Sequence, residues 1–392
     1  MPESEEKRFK KIIIFSTDDF LPPSGGAEIA IGEITNRLPN FEFDLFCARI
    51  RKNASKFEKR GNVNIYRLGP GISKIDKFLL ASLGHRQALK NHKKEPYSLV
   101  WSVMASYGGF AAVRFKKRTG VPFLLTLQEG DPLESIENKV RLGSKYFKNI
   151  FSQADALQAI SNFLYEWGLR MGFQGKVGKV IPNGVDIANF ARQLAQQEIS
   201  EIRNSFGFGR ETLILVTASR LEKKNGIGDV ISALKILPEK VCFVICGFGS
   251  LEEQTRKQVK ELGLEKRVRF MGMVSHENLP RILKSCDIFI RPSLTEGLGN
   301  SFLEAMAAGL IVIGTMVGGI PDFLKDGITG FACRPEDPQN IASAVTKIMS
   351  LSNPDLVKVR ANALDMVKKE YNWDIVSKKM EQIFKQLIGS KN

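Results

Sequence analysis

Three observations predict an α/β protein built from two doubly wound domains, each a parallel sheet flanked by helices. Short apolar runs rich in Ile, Val, Leu and Phe alternate with helix-patterned stretches through the first half of the chain. The same alternation restarts near residue 212, and 392 residues exceed what one hydrophobic core usually organises. A composition of 43% hydrophobic and 25% charged residues is that of a folded globular protein.

In the first half the strand-like runs are residues 11–17, 43–49, 63–69, 98–104, 122–128, 156–161 and 179–185, each next to a loop or helical stretch. After the first run comes a loop with Asp18, Asp19, two prolines and Gly25-Gly26, then a helix from about Ala27 to Leu38. The glycine pair at this strand-to-helix junction reads either as a tight turn or as a place where backbone N–H groups approach a ligand. Between Arg49 and Arg118 there are 17 Lys and Arg against three acids, a surplus of 14 in a chain whose net charge is +15. Within that segment residues 72–94 read as a helix with Ile75, Phe78, Leu79, Leu83 and Leu89 among many Lys and Arg. It is either a solvated cover of the domain or a docking element for an anionic membrane or a phosphorylated acceptor. Residues 126–132 place Gln128 and Asp131 after the fifth run; Asp131-Pro132 is a turn pair, and Gln128 can hydrogen-bond but cannot act as an acid or base.

The second half repeats strand, turn and helix over residues 212–237, 240–264 and 266–290. Arg220 closes the first of these strands. Gly247-x-Gly249 follows the second as a fragment of a dinucleotide fingerprint, but Glu252 stands where the third glycine belongs. Residues 288–318 then pack a strand, a glycine-broken loop over residues 295–300, a helix of strong formers closed by Gly309, and the next strand. In an open parallel sheet ligands bind beyond the carboxyl ends of the strands, where the next helix presents free N–H groups, so a phosphate fits here. Glu296 and Glu304 flank the loop. Ser301-x-x-Glu304 matches a capping box in the helix's first turn, and Glu296 sits in the loop, where its replacement should not disturb the fold.

The run E-G-L-G-N-S-F-L-E (residues 296–304), followed by A-x-A-A-G-x-x-V-I-G-T and G-G-I-P-D, resembles the E-x7-E motif of retaining glycosyltransferases of family 4. The resemblance implies the GT-B fold: α/β, two doubly wound Rossmann-like domains facing across a cleft. Residues 1–185 would form the acceptor-side domain and 186–370 the nucleotide-sugar domain, with 371–392 a terminal helix packing back on the first. It implies transfer of a hexose-type sugar from a nucleoside diphosphate sugar to an acceptor hydroxyl with retention, the acceptor being a glycan or a lipid-linked one. Glu304 would bind the ribose and Glu296 the sugar near the reacting centre. Gly297, Leu298, Gly299, Asn300 and Ser301 would cradle diphosphate and sugar between them. Arg220 would neutralise the diphosphate with a lysine five positions on; here that position is Asn225, with Lys224 just before it. Gly247 would border the nucleotide pocket, the backbone near Met273 would receive the base, and Gly25 and Gly26 would face the donor. Gln128 replaces a common family histidine on the acceptor side, beside Asp131.

The remaining features bound the reading. Five cysteines without a CxxC pair read as buried free thiols, and the three histidines are too far apart in sequence to suggest a metal cluster. Arg220, lysines and helix N–H groups take the part that a metal bound by an acidic pair plays in GT-A transferases, so no cofactor and no metal is expected. The acidic start and the lack of an 18-residue apolar run predict a cytoplasmic protein, peripheral on the inner face of the membrane if the basic segment docks there. Another GT-B enzyme, an epimerase or a phosphorylase, is the rival reading. A nucleic-acid partner is disfavoured because basic residues are not interleaved with aromatics.

Overall fold

The computed structural model describes residues 10–17, 25–209 and 211–389. The loop carrying Asp18 and Asp19 lies outside the described residues. The chain divides into two compact units, Met1–Asn183 with Trp373–Asn392, and Gly184–Asn372.

The first unit holds an eight-stranded sheet: β1 (Lys10–Phe15), β2 (Phe41–Ala48), β3 (Phe57–Arg60), β4 (Val63–Leu68), β5 (Leu99–Val103), β6 (Phe123–Leu127), β7 (Ala156–Ala159) and β8 (Val177–Val180). Their order is β3-β4-β2-β1-β5-β6-β7-β8, parallel except for β3, which pairs antiparallel with β4. The chain winds outward from β1 in one direction through β2 and in the other through β5, so the sheet reverses between β1 and β5. β3 carries Phe57, Glu58, Lys59 and Arg60 and buries almost nothing, which is why no apolar run announces it. The terminal helix Trp373–Gly389 packs on this unit: Phe384 meets Phe41, Phe43 and Trp101 at ring distances of 6.0, 6.5 and 5.3 Å, and Arg37 Nε donates to Asp374 at 2.8 Å.

The helix Ser73–Lys94 turns a face of mostly small residues inward. Its inward residues are Asp76, Leu80, Gly84, His85 and Ala88, whereas Phe78 is 66% exposed and Ile75 48%. The cause is close approach: a Cβ on Gly84 would lie 3.5 Å from that of Ala111 in the helix Tyr107–Thr119, so the small residues Gly84 and Ala88 lie at the contact while Ile75, Phe78 and Leu83 face water.

The second unit holds β9 (Leu213–Ala218), β10 (Val241–Cys246), β11 (Val268–Gly272), β12 (Ile288–Arg291), β13 (Ile311–Thr315) and β14 (Phe331–Cys333), all parallel, in the order β11-β10-β9-β12-β13-β14. The sheet reverses between β9 and β12, the position at which open α/β sheets leave a crevice beyond their carboxyl ends. Val185 at the start of this unit donates its N–H to the Tyr371 carbonyl near its end at 2.6 Å, so the two chain crossings are tied together. All five cysteines are buried and free.

Candidate functional site at the carboxyl ends of β9 and β12

The candidate site of the second unit is assembled by the loops that leave β9 and β12. Beyond β9, Arg220 is exposed; hydrogen bonds from Ser250 and, further, the charge of Arg220 hold the Glu222 carboxyl below the usual carboxylate range. The Arg220 carbonyl is held from behind, because buried Asn225 donates Nδ2 to it at 2.6 Å. Asn225 therefore supports the turn and does not present a cation, which leaves Lys224 as the neighbouring positive charge. The Lys224 carbonyl accepts from Leu294 N–H at 2.7 Å and ties the loop after β9 to the loop after β12. Glycine is required at 247, where φ is +139° and a Cβ would lie 1.9 Å from the Ser219 carbonyl oxygen, so the turn after β10 can lie directly on the strand that delivers Arg220. Met273 follows β11 and is 65% exposed.

The loop after β12 is organised by Arg291, the last residue of the strand and almost fully buried. Its Nη2 lies 2.7 Å from Oε1 of Glu296, its Nη1 donates to Ser301 Oγ at 2.7 Å, and the guanidinium lies 4.7 Å from the Phe302 ring centre. Ser293 Oγ also reaches Glu296 Oε1 at 3.3 Å. The Gly318-Gly319 turn lies on the Glu296 backbone: Gly319 N–H donates to its carbonyl at 3.0 Å, and a Cβ on Gly318 would come within 2.0 Å of the same oxygen.

The helix that follows is Asn300–Ala307, preceded by Gly299 at φ +97°, and no side chain among the described residues caps it. That overturns the capping box. Ser301 gives its oxygen to Arg291, and Glu304 falls in the second turn, where its Oε1 meets His276 Nε2 at 3.1 Å. His276 in turn packs edge-on to buried Phe190 at 5.1 Å. With no cap in place, the start of the helix keeps N–H groups for an anion. Leu298 is 1% exposed, so its side chain belongs to the core and only its backbone remains to meet a ligand.

In the first unit, Gly25 N–H donates to Glu28 Oε2 at 2.7 Å and opens the helix Gly26–Asn36. Gln128 Oε1 accepts from Asn183 Nδ2 at 3.2 Å, so Asn183 supports Gln128. Asp131 is exposed. Between Gln128 and Asp131 lies Glu129, buried, with Oε1 accepting from Ala105 N–H at 2.6 Å and Oε2 without a hydrogen-bond partner among the described residues. Ala105 follows Met104, which has a φ of +67°.

Comparison with known proteins decides the family. Residues 24–189 match the model described as Glycosyltransferase Family 4, and residues 198–366 match that of Glycosyl transferases group 1. An uncharacterized glycosyltransferase of Methanocaldococcus jannaschii is 26% identical over 97% of this chain and 99% of its own length. Sucrose-phosphate synthase from Thermosynechococcus elongatus superposes with a TM-score of 0.82 at 20% identity, covering 97% of this chain and all of that one. HepE from Anabaena, solved with UDP and glucose, superposes with a TM-score of 0.78 at 20% identity over 96% of this chain and all of its own. The chain belongs to glycosyltransferase family 4 and has the GT-B fold.

Of the residues of this glycosyltransferase named from sequence, the second unit brings Arg220, Lys224, Glu296, Glu304 and the segment 297–301 to the ends of adjacent strands β9 and β12. Gly25, Gly26, Gln128 and Asp131 lie in the other unit. Sequence reasoning missed Arg291, His276 and Glu129. The signal for Arg291 was available, a single charge closing an otherwise apolar run five residues before Glu296; His276 and Glu129 have partners that only the fold supplies. Among the described residues no group of three or more His, Cys, Asp or Glu could hold a metal ion.

Burial pushes the Glu129 carboxyl up to about 7, against the pull of the N–H groups around it. The unfolded chain releases this proton near 4.5 and the folded one near 7, so stability falls as pH rises between the two values. Above that window the cost is on the order of 3 kcal/mol. Glu129→Gln keeps an acceptor for Ala105 and removes the titration. Its denaturant midpoint should exceed that of the unsubstituted protein at pH 8, with the difference shrinking as the pH is lowered to 4.5.

Proposed function

We propose that this glycosyltransferase moves a hexose-type sugar from a nucleoside diphosphate sugar to an acceptor hydroxyl with retention at the anomeric carbon and without a metal ion. The observation that carries the reading is the convergence at β9 and β12 of an exposed arginine, an uncapped helix start and two flanking carboxylates. A diphosphate leaving group carries charge that such donors stabilise most strongly where it develops, as the bond to the sugar breaks. Arg220, Lys224 and the N–H groups at 300 and 301 serve the diphosphate; Glu304 serves the ribose hydroxyls and Glu296 the transferred sugar. Gly247 and Met273 border the base. The complex of HepE with UDP and glucose supports a donor of this class. No cofactor is needed beyond the donor as co-substrate. The test is product analysis by NMR with sugars linked to UDP, GDP, ADP and dTDP in excess EDTA: the expected product has the anomeric configuration of its donor. An inverted product, or turnover only after magnesium or manganese is restored, contradicts the reading.

The acceptor side belongs to the first unit, near Gln128 and Asp131. The acceptor is a glycan or a lipid-linked one, presented at an anionic membrane surface on the cytoplasmic side. Support comes from the surplus of 14 positive charges between residues 49 and 118 and from Ile75, Phe78 and Leu83, which face water on the helix that also carries Arg86, Lys90, Lys93 and Lys94. Each basic residue held near an anionic bilayer contributes about 1 kcal/mol. Among the described residues no helix is long and apolar enough to cross a membrane. In flotation the protein should rise with phosphatidylserine vesicles at low salt and stay behind with neutral ones, and changing Lys90, Lys93 and Lys94 to Glu should abolish the difference.

A further inference from the structure

Arg291 is the most heavily committed side chain near the candidate site, and neither the motif nor the family resemblance gives it a role. It is 6% exposed, and one guanidinium reaches Glu296 Oε1, Ser301 Oγ and the face of Phe302, while Nε has no partner among the described residues. A buried ion pair is a poor source of stability, since apolar residues of the same volume commonly do as well. What such a pair supplies is a fixed arrangement. Here the arrangement joins both ends of the loop: Glu296 near its start and Ser301 in the first turn of the helix beyond it. Gly299 lets the loop close over the guanidinium, because a Cβ there would lie 3.3 Å from Arg291 Nη2 and 2.9 Å from the Phe302 ring, at a φ of +97° that other residues rarely adopt. On the carboxylate, Oε1 pairs with Arg291 Nη2 and accepts from Ser293 Oγ, whereas Oε2 has no hydrogen bond among the described residues.

We propose that Arg291 is a positioning residue of the transfer site: it sets the loop between Glu296 and Ser301 and turns Oε2 of Glu296 toward the transferred sugar. The proposal rests on Glu296 contacting that sugar. Lysine cannot reproduce it, because one ammonium replaces a planar fork that serves two acceptors at once.

The test is a double-mutant cycle with Arg291→Lys, Glu296→Gln and the pair, reading kcat, KM for the donor and the melting temperature. Arg291→Lys should lower kcat by at least about tenfold, the scale on which misplaced groups cost rate. KM for the donor should stay within about threefold, since Arg220 and Lys224, the cations that serve the diphosphate, are unchanged. In the Glu296→Gln background the same change should add almost nothing to the loss in kcat. Multiplication of the two losses overturns the role of Arg291 while leaving that of Glu296 intact. Glu296→Gln at the unsubstituted rate removes the reading of Glu296 and the proposal with it. Should Arg291→Lys fail to fold, Ser293→Ala carries the same cycle, because it removes the second donor to Oε1 without touching a charge. Its loss in kcat should appear only while Glu296 is present, and a loss that persists in Glu296→Gln overturns the proposal.

Discussion

Glu296→Gln lowers kcat by about 10²-fold or more, the usual cost of removing one preorganised electrostatic contact from a transfer site, and leaves the melting temperature close to its original value. Glutamine keeps an oxygen for the Arg291 guanidinium and for Ser293, so the loop retains its hydrogen bonds while the charge disappears. Alanine is the wrong probe. Read as a loop residue, Glu296 looked removable without harm to the fold, but its side chain is 12% exposed and pairs with a side chain that is 7% exposed. Glu296→Ala strands a buried cation, a defect that costs roughly 3–5 kcal/mol, and mixes lost folding with lost chemistry. The check is steady-state turnover beside a thermal melt. A Gln variant with unchanged kcat removes Glu296 from the site.

Arg220→Ala is expected to lower kcat/KM by about 10²–10³-fold, the range seen when a donor to developing charge is deleted. Its melting temperature should stay close to its original value, because Arg220 is exposed and its attraction to Glu222 acts across solvent. The loss should be the larger because Asn225 contributes no second cation, its amide being spent on the Arg220 carbonyl. Arg220→Lys should recover part of the rate, since a point charge still meets a diphosphate but without the planar fork. Turnover of Arg220→Ala at the original rate contradicts the assignment of the diphosphate site.

The parts of the fold that bury both faces of a strand were legible in the sequence. β9, β10, β12 and β13 are continuous apolar runs because parallel strands between helices have no wet face, and the loops that follow them are marked by glycines. β3 was not legible, since Phe57–Arg60 lies at the sheet edge and exposes its side chains. The helix Ser73–Lys94 was legible as an element, but not its inward face: Gly84 and Ala88 sit there because two helices approach closely, while Phe78 and Ile75 stay exposed.

At the candidate site the two glutamates could be named from their spacing, but not their partners. The Ser301-x-x-Glu304 pattern fits a capping box locally, and the tertiary fold overrides it by bringing Arg291 to the serine and His276 to the glutamate. Such partners lie 10 and 28 residues away in sequence, and nothing in the spacing of either residue type reveals them. Glu129 illustrates the same limit: only the fold shows it buried against Ala105.

The most direct test of the central claim, that the carboxyl ends of β9 and β12 hold the nucleoside diphosphate part of the donor, is a calorimetric titration of UDP, GDP, ADP and dTDP in excess EDTA. It is carried out on the unsubstituted protein and on Glu304→Gln. At least one nucleotide should bind the former without metal, and Glu304→Gln should bind it about tenfold or more weakly, the loss expected when a charge-assisted hydrogen bond to a ribose hydroxyl becomes a neutral one. Binding of none of the four, or equal affinity in both proteins, contradicts the account.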